Sequence, residues 1–133
     1  MGRTDDSRAV EEAVWQREQT YSTGFGNGFA IPHCKTNAVR FNSLVLLKLR
    51  ASVKWNSLDG QPVRLVLLFA VRETDSATRH MKVFAKLARM MMDEHFRAHL
   101  EKESDANALC AFLGKALEVE IKTPRRKKLT NTT

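Results

Sequence analysis

The chain has 133 residues, 43% of them apolar and 28% charged, with a net charge of +7. This is the size and composition of one globular domain, long enough to bury roughly two-thirds of its unfolded surface. No apolar stretch approaches the ~18 to 20 residues of a membrane span, and the two cysteines, Cys34 and Cys110, make neither a disulfide framework nor a zinc motif.

Taken in chain order, the opening MGRTDDSRAVEEAV is charged and lacks an apolar h-region, so no secretory signal is expected and a cytoplasmic protein with two free thiols is. Val10, Ala13 and Val14 recur at helical spacing and predict a short helix over 8–18. A polar, glycine-rich segment follows from Thr20 to Gly28. Phe29-Ala30-Ile31 then reads as a short strand stopped by Pro32, which has no N–H to give a sheet ladder.

LVLLKLR (44–50) and VRLVLLFAV (63–71) are the strongest strand candidates, the second apolar almost throughout, as a strand covered on both faces would be. Val53-Lys54-Trp55 is read as a further strand and Asp59-Gly60 as a turn. Met81, Phe84, Leu87, Ala88 and Met91 predict one amphipathic helix over 77–96, with Met90, Met91 and Met92 as core filler. Ser104 is expected to cap a last helix carrying Leu109, Phe112, Leu113 and Leu117. Strands interleaved with helices predict a layered α/β domain with a covered sheet.

Five of the seven net positive charges fall in KTPRRKK (122–128). With Pro124 and the closing LTNTT, this predicts a basic, disordered tail over 122–133 and a domain over 1–121. The remainder carries little net charge, so nucleic acid is not an expected partner.

The stretch STGFGNGFAIPHCK (22–35) concentrates the turn chemistry of the chain in front of His33. Several chemistries fail there. GFGNG is Gly-x-Gly-x-Gly and not the dinucleotide fingerprint, and no phosphate-loop motif exists. Ser22 and Thr23 lack a nucleophile elbow. His95 and His99 are four apart, but Phe96 stands where a zinc protease has glutamate. Neighbours on an extended chain point to opposite sides, which argues against His33 activating Cys34. His33 itself remains: a neutral imidazole has a lone pair that can attack phosphorus.

The run from Arg17-Glu18 through STGFGNGFAIPH resembles the signature of the bacterial phosphotransferase-system IIA domains of the fructose/mannitol type. Members show Arg-Glu followed by Ser-Thr-Gly-Ile-Gly-Asn-Gly-Ile-Ala-Ile-Pro-His, with Phe25 and Phe29 here in place of two isoleucines and Cys34 in place of a small residue. The similarity continues through VKWNSLDGQPVRLVLLFAV and HMKVFAKLARMMMDEHFRAHL to about Leu117. The resemblance implies that His33 is phosphorylated on Nε2 by the phosphorylated carrier HPr, or a nitrogen-type equivalent, and donates to an EIIB domain for sugar uptake. It implies that Arg17 and His80 stabilise the phosphoryl group, with no cofactor, no metal and no membrane insertion.

The alternative it carries is a nitrogen-type regulatory domain whose phosphorylation state controls binding to target proteins. The implied fold is a mixed central sheet flanked by helices on both faces, a three-layer α/β/α arrangement. Members have an initial strand and helices before the Arg-Glu pair, whereas sixteen residues precede Arg17 here. A sheet lacking that strand, or one completed in a homo-oligomer, is therefore expected. The sugar is not assigned by any residue.

Overall fold

A computed structural model of the chain describes residues 2–20, 22–73 and 77–117, the side chains of 77–80 excepted. It divides into two compact units, Met1–Asp75 and Ser76–Thr133.

The first unit opens with α1 (Ser7–Thr20). Asp6 starts it, its side chain accepting the backbone N–H of Ala9 at 3.1 Å. Val10, Ala13 and Val14 pack as expected, against a buried cluster of Cys34, Val39 and Ala70. Five strands follow among the described residues: β1 (Gly24–Gly26), β2 (Phe29–Ala30), β3 (His33–Lys35), β4 (Ser43–Val53) and β5 (Val63–Val71).

The sheet is mixed. β5 is central, with β4 antiparallel on one side and β2 and β3 parallel on the other. Its apolar run is accordingly buried at Val63, Leu65, Val66, Leu67, Ala70 and Val71. β2 and β3 are two halves of one extended run on the same neighbour, registered as Phe29↔Leu65 and His33↔Phe69. Pro32 breaks it as predicted, having no N–H, yet its carbonyl still accepts from Phe69 N at 2.9 Å and carries the chain onward in register.

The glycine-rich segment contains a strand, since β1 folds back antiparallel on β2. The reversal turns on Asn27 and Gly28, with φ of 58° and 83°, the left-handed pair a two-residue hairpin requires. One expectation is corrected here: no separate strand spans 53–55, because Val53 ends β4 after an irregularity between Lys48 and Val53, and Lys54 and Trp55 lie beyond it. The Asp59-Gly60 turn is present, with Gly60 N bonded to Ser57 O at 3.0 Å.

The second unit holds α2 (Ala77–Met90), α3 (Glu94–Lys102) and α4 (Ala106–Leu117). The single helix expected over 77–96 is broken. Asp93 takes an extended conformation and accepts His95 N–H at 2.8 Å, so it caps a new helix and leaves the old one ended at Met90. Of the three methionines only Met91 is core, fully buried while Met92 is exposed, because the break turns them to different sides. Met81 is also exposed.

The cap of the last helix is Asp105, whose carboxylate accepts Ala108 N–H at 2.9 Å, not Ser104. Leu109, Leu113 and Leu117 are buried as the periodicity predicts. Phe112 stacks on Phe96 at 5.4 Å between centroids and meets the ring of His99 at 4.1 Å. Neither Cys34 nor Cys110 is in a disulfide. No helix among the described residues is long and apolar enough to cross a membrane. The tail expected over 122–133 lies outside the described residues.

Candidate functional site

His33 is the first residue of β3, where the chain leaves Pro32 and rejoins β5 opposite Phe69. The alternation of an extended strand leaves its ring half-buried and turns the next side chain, Cys34, into the core. Burial pushes the Cys34 thiol pKa up and keeps it a neutral packing group. The separation of His33 from Cys34 read in the sequence holds.

The two nitrogens of His33 have different partners. Nδ1 lies 3.1 Å from the carbonyl oxygen of Ile31, two residues back. A carbonyl only accepts, so Nδ1 carries the proton. Nε2 lies 2.9 Å from the Nε of Arg17. A guanidinium N–H only donates, so Nε2 offers its lone pair. The neighbours thus select one tautomer of a neutral ring.

Four influences act on its pKa. Burial is the largest and lowers it below the ordinary 6.5. The Ile31 hydrogen bond opposes this, the Arg17 charge lowers it further, and the charge of Glu18 raises it; the sum is a lowering. The imidazole is therefore neutral at physiological pH, with an available lone pair on Nε2 beside a cation.

Arg17 reaches the ring because it sits in the last turn of α1, on the side of the helix that packs on β3. Its place beside His33 is the pairing that the Arg-Glu…His motif leads one to expect. His80 is the fourth residue of α2 in the second unit, and its side chain lies outside the described residues. Phe29 is fully buried, as an isoleucine would be, whereas Phe25 is half-exposed.

Sequence reasoning gave no role at the site to four participants, Glu18, Ser22, Thr23 and Trp55. Glu18 turns its carboxylate toward the loop after α1, where Oε2 accepts Thr23 N–H at 2.8 Å and Trp55 Nε1–H at 2.9 Å, and Oε1 accepts the Thr23 hydroxyl. The Ser22 hydroxyl donates to Trp55 O at 2.9 Å. Thr23 O in turn accepts Ile31 N–H at 3.0 Å. A half-buried indole needs a partner for its N–H, but nothing in the sequence states that the partner stands 37 positions earlier.

The glycines serve close approach. A Cβ on Gly24 would lie 2.4 Å from Ser57 Oγ and 2.8 Å from Ser57 Cα, so β1 touches the 56–60 loop backbone to backbone. Asp59 on that loop accepts Asn27 N–H at 2.9 Å and fastens the tip of the hairpin. Among the described residues no group of three or more His, Cys, Asp or Glu is placed to hold a metal ion.

Comparison with known proteins gives concordant results. The family model described as "Phosphoenolpyruvate-dependent sugar phosphotransferase system, EIIA 2" matches residues 1–116. A multiphosphoryl transfer protein of Shigella flexneri is 38% identical over 84% of this chain, which spans only 13% of that protein. A nitrogen regulatory protein of Pseudomonas aeruginosa is 35% identical over 78% of the chain and 67% of its own length. Among solved structures, nitrogen regulatory protein IIA-Ntr from Neisseria meningitidis superposes with a TM-score of 0.73 at 32% identity, covering 80% of this chain and 72% of that one. The α/β class with a mixed sheet, expected from the sequence, is the fold class of that structure.

Proposed function

Because the chain belongs to the EIIA type 2 family of the phosphoenolpyruvate-dependent sugar phosphotransferase system, we propose that it is a phosphotransferase component that carries a phosphoryl group on Nε2 of His33. The group arrives from the phosphohistidine of HPr or a nitrogen-type carrier and leaves to an EIIB domain in the cytoplasm. One observation carries the reading: Nδ1–H is committed to the Ile31 carbonyl, so the lone pair is on Nε2, beside the guanidinium of Arg17.

The step balances without an outside reagent. The Nε2 lone pair attacks phosphorus in line with the nitrogen of the donor ring. The new P–N bond forms as the donor P–N bond breaks, and the donor imidazole leaves with the bonding pair. The His33 ring gains positive character, which the Nδ1–H bond to Ile31 O supports. Arg17 exchanges its hydrogen bond to Nε2 for charge-assisted bonds to the phosphoryl oxygens. Onward donation is the same step reversed on a different partner. The family resemblance alone gives His80 a supporting role at the phosphoryl group, which His80→Ala tests by slower acceptance.

The test is incubation with phosphorylated HPr. Intact mass should rise by one phosphoryl group, with an acid-labile bond, and His33→Ala should show no gain. An unmodified wild-type chain refutes the reading.

A regulatory output is a second reading, supported by the 35% identity to a nitrogen regulatory protein and the TM-score of 0.73 to IIA-Ntr. It predicts the same phosphorylation with no transfer to any EIIB domain and with a target protein bound in only one phosphorylation state.

A further inference from the structure

The bonds around His33 close into a ring. Arg17 Nε–H reaches His33 Nε2 at 2.9 Å, and His33 Nδ1–H reaches Ile31 O at 3.1 Å. Ile31 N–H reaches Thr23 O at 3.0 Å, Thr23 N–H reaches Glu18 Oε2 at 2.8 Å, and Glu18 is the covalent neighbour of Arg17. Trp55 fastens the ring from outside through its N–H to Glu18 and its carbonyl to Ser22.

From this closed circuit we infer that Glu18 is the positioning residue of the site, a clamp that holds Arg17 aimed at His33 Nε2 and the imidazole in its Nδ1–H form. The inference rests on the phosphoryl-acceptor reading for its effect on rate, but not for its effect on the ring.

The physical case is one of freedom removed. Arg17 lies in the final turn of α1, where helices fray and the last carbonyls lack partners. Left alone, that turn and the long Arg17 side chain would sample many positions. Three donors converging on one carboxylate tie the turn to Thr23 and Trp55. Trp55 is itself anchored, packing against buried Ala30, Val63 and Val66. The helix end is therefore referenced to the same core from which β2 leads, through Ile31, to His33. A cation already aimed at Nε2 has little left to reorganise when the phosphoryl group arrives beyond the exchange of that one bond.

The charge of Glu18 does not do this work. A carboxylate next to an incoming phosphoryl dianion repels it, and the same charge raises the His33 pKa. A glutamine can reproduce the clamp: its carbonyl oxygen accepts both N–H groups now on Oε2, and its amide donates to the Thr23 hydroxyl. That separates geometry from charge.

The experiment compares Glu18→Ala, Glu18→Gln and Trp55→Phe, each with Arg17 present and in an Arg17→Met background. Two readouts are needed: the rate of acceptance from phosphorylated HPr at saturating carrier, and the nitrogen chemical shifts of His33 in the unphosphorylated protein. Thermal melts establish that each variant folds. Glu18→Ala should slow the saturated rate by about 10- to 100-fold, the cost of a displaced catalytic group, with KM for HPr little changed. Glu18→Gln should recover most of that loss, and Trp55→Phe should fall between. On the Arg17→Met background Glu18→Ala should add less than about twofold, because the clamp acts through Arg17. With Arg17 present, the His33 shifts should move from predominantly Nδ1–H toward a mixture in Glu18→Ala and stay in place in Glu18→Gln.

Equal damage from Gln and Ala, or an undiminished penalty without Arg17, overturns the inference while the acceptor reading stands. If the wild-type chain accepts no phosphoryl group, that reading fails instead. The tautomer then decides the clamp by itself, and an unchanged Nδ1–H population in Glu18→Ala overturns it.

Discussion

Arg17→Met is the sharpest perturbation of the site. Methionine keeps an unbranched apolar stem out to about the position of Nε and good helix propensity, so α1 and its packing survive. What disappears is one N–H donor at 2.9 Å from Nε2 and one positive charge. Two effects oppose each other. Loss of a donor aimed at developing charge costs about 10²- to 10³-fold in rate. The resting bond that Arg17 makes to the attacking lone pair also has to break before reaction, and removing it returns about 1 kcal/mol, roughly fivefold. The net expectation lies near the lower bound, about 10²-fold slower. The variant should also titrate at a higher pH than the wild type, since the Arg17 charge lowers the His33 pKa. Quenched-flow transfer from labelled phospho-HPr gives the rate, and ring NMR gives the titration. A variant within threefold of wild type would show that Arg17 does no more than cover the lone pair.

Four further outcomes are expected. The lowered pKa of His33 makes stability pH-dependent: the unfolded ring binds its proton at 6.5 while the folded ring resists it, so stability is full above 6.5 and falls as pH drops through the folded pKa. Urea melts should show this slope flattened in His33→Gln; an unchanged slope assigns it to other groups. Gly24→Ala places a methyl 2.8 Å from Ser57 Cα and should cost about 1–3 kcal/mol of stability in the same melts. Asp93→Ala removes the cap between α2 and α3 and should cost about 1 kcal/mol with acceptance at His33 unaffected. Cys34, buried with a raised pKa, should resist thiol reagents in the native protein and react on unfolding.

What the sequence revealed and what it hid divide along one physical line. Local periodicity sees the elements that pack by a face, so α1, β5 and α4 are legible from Val10–Ala13–Val14, from the apolar run 63–71 and from Leu109–Leu113–Leu117. Periodicity does not see a break whose apolar pattern continues past it. Met91 stays on the buried side after α2 has ended, so only the cap geometry of Asp93 reveals two helices. β1 was hidden for the opposite reason. Its glycines carry no hydrophobic signal, and it is a strand because bare backbone can lie against Ser57.

The site was legible to the extent that it is local. Arg17, Thr23, Ile31 and His33 lie within seventeen residues, and the helix end, hairpin and proline break that join them each leave a mark in the sequence. Glu18 is inside that window too, but its role depends on a bond to Trp55, which arrives from the end of β4 after a shift in register that no local pattern sets. The motif therefore supplies the reacting pair, and the distant indole supplies its rigidity. A chain with the full motif but no donor at position 55 should still present His33, with Arg17 less well aimed. Transplanting residues 17–33 onto another scaffold should accordingly give a histidine that accepts a phosphoryl group slowly, and restoring the indole contact should speed it.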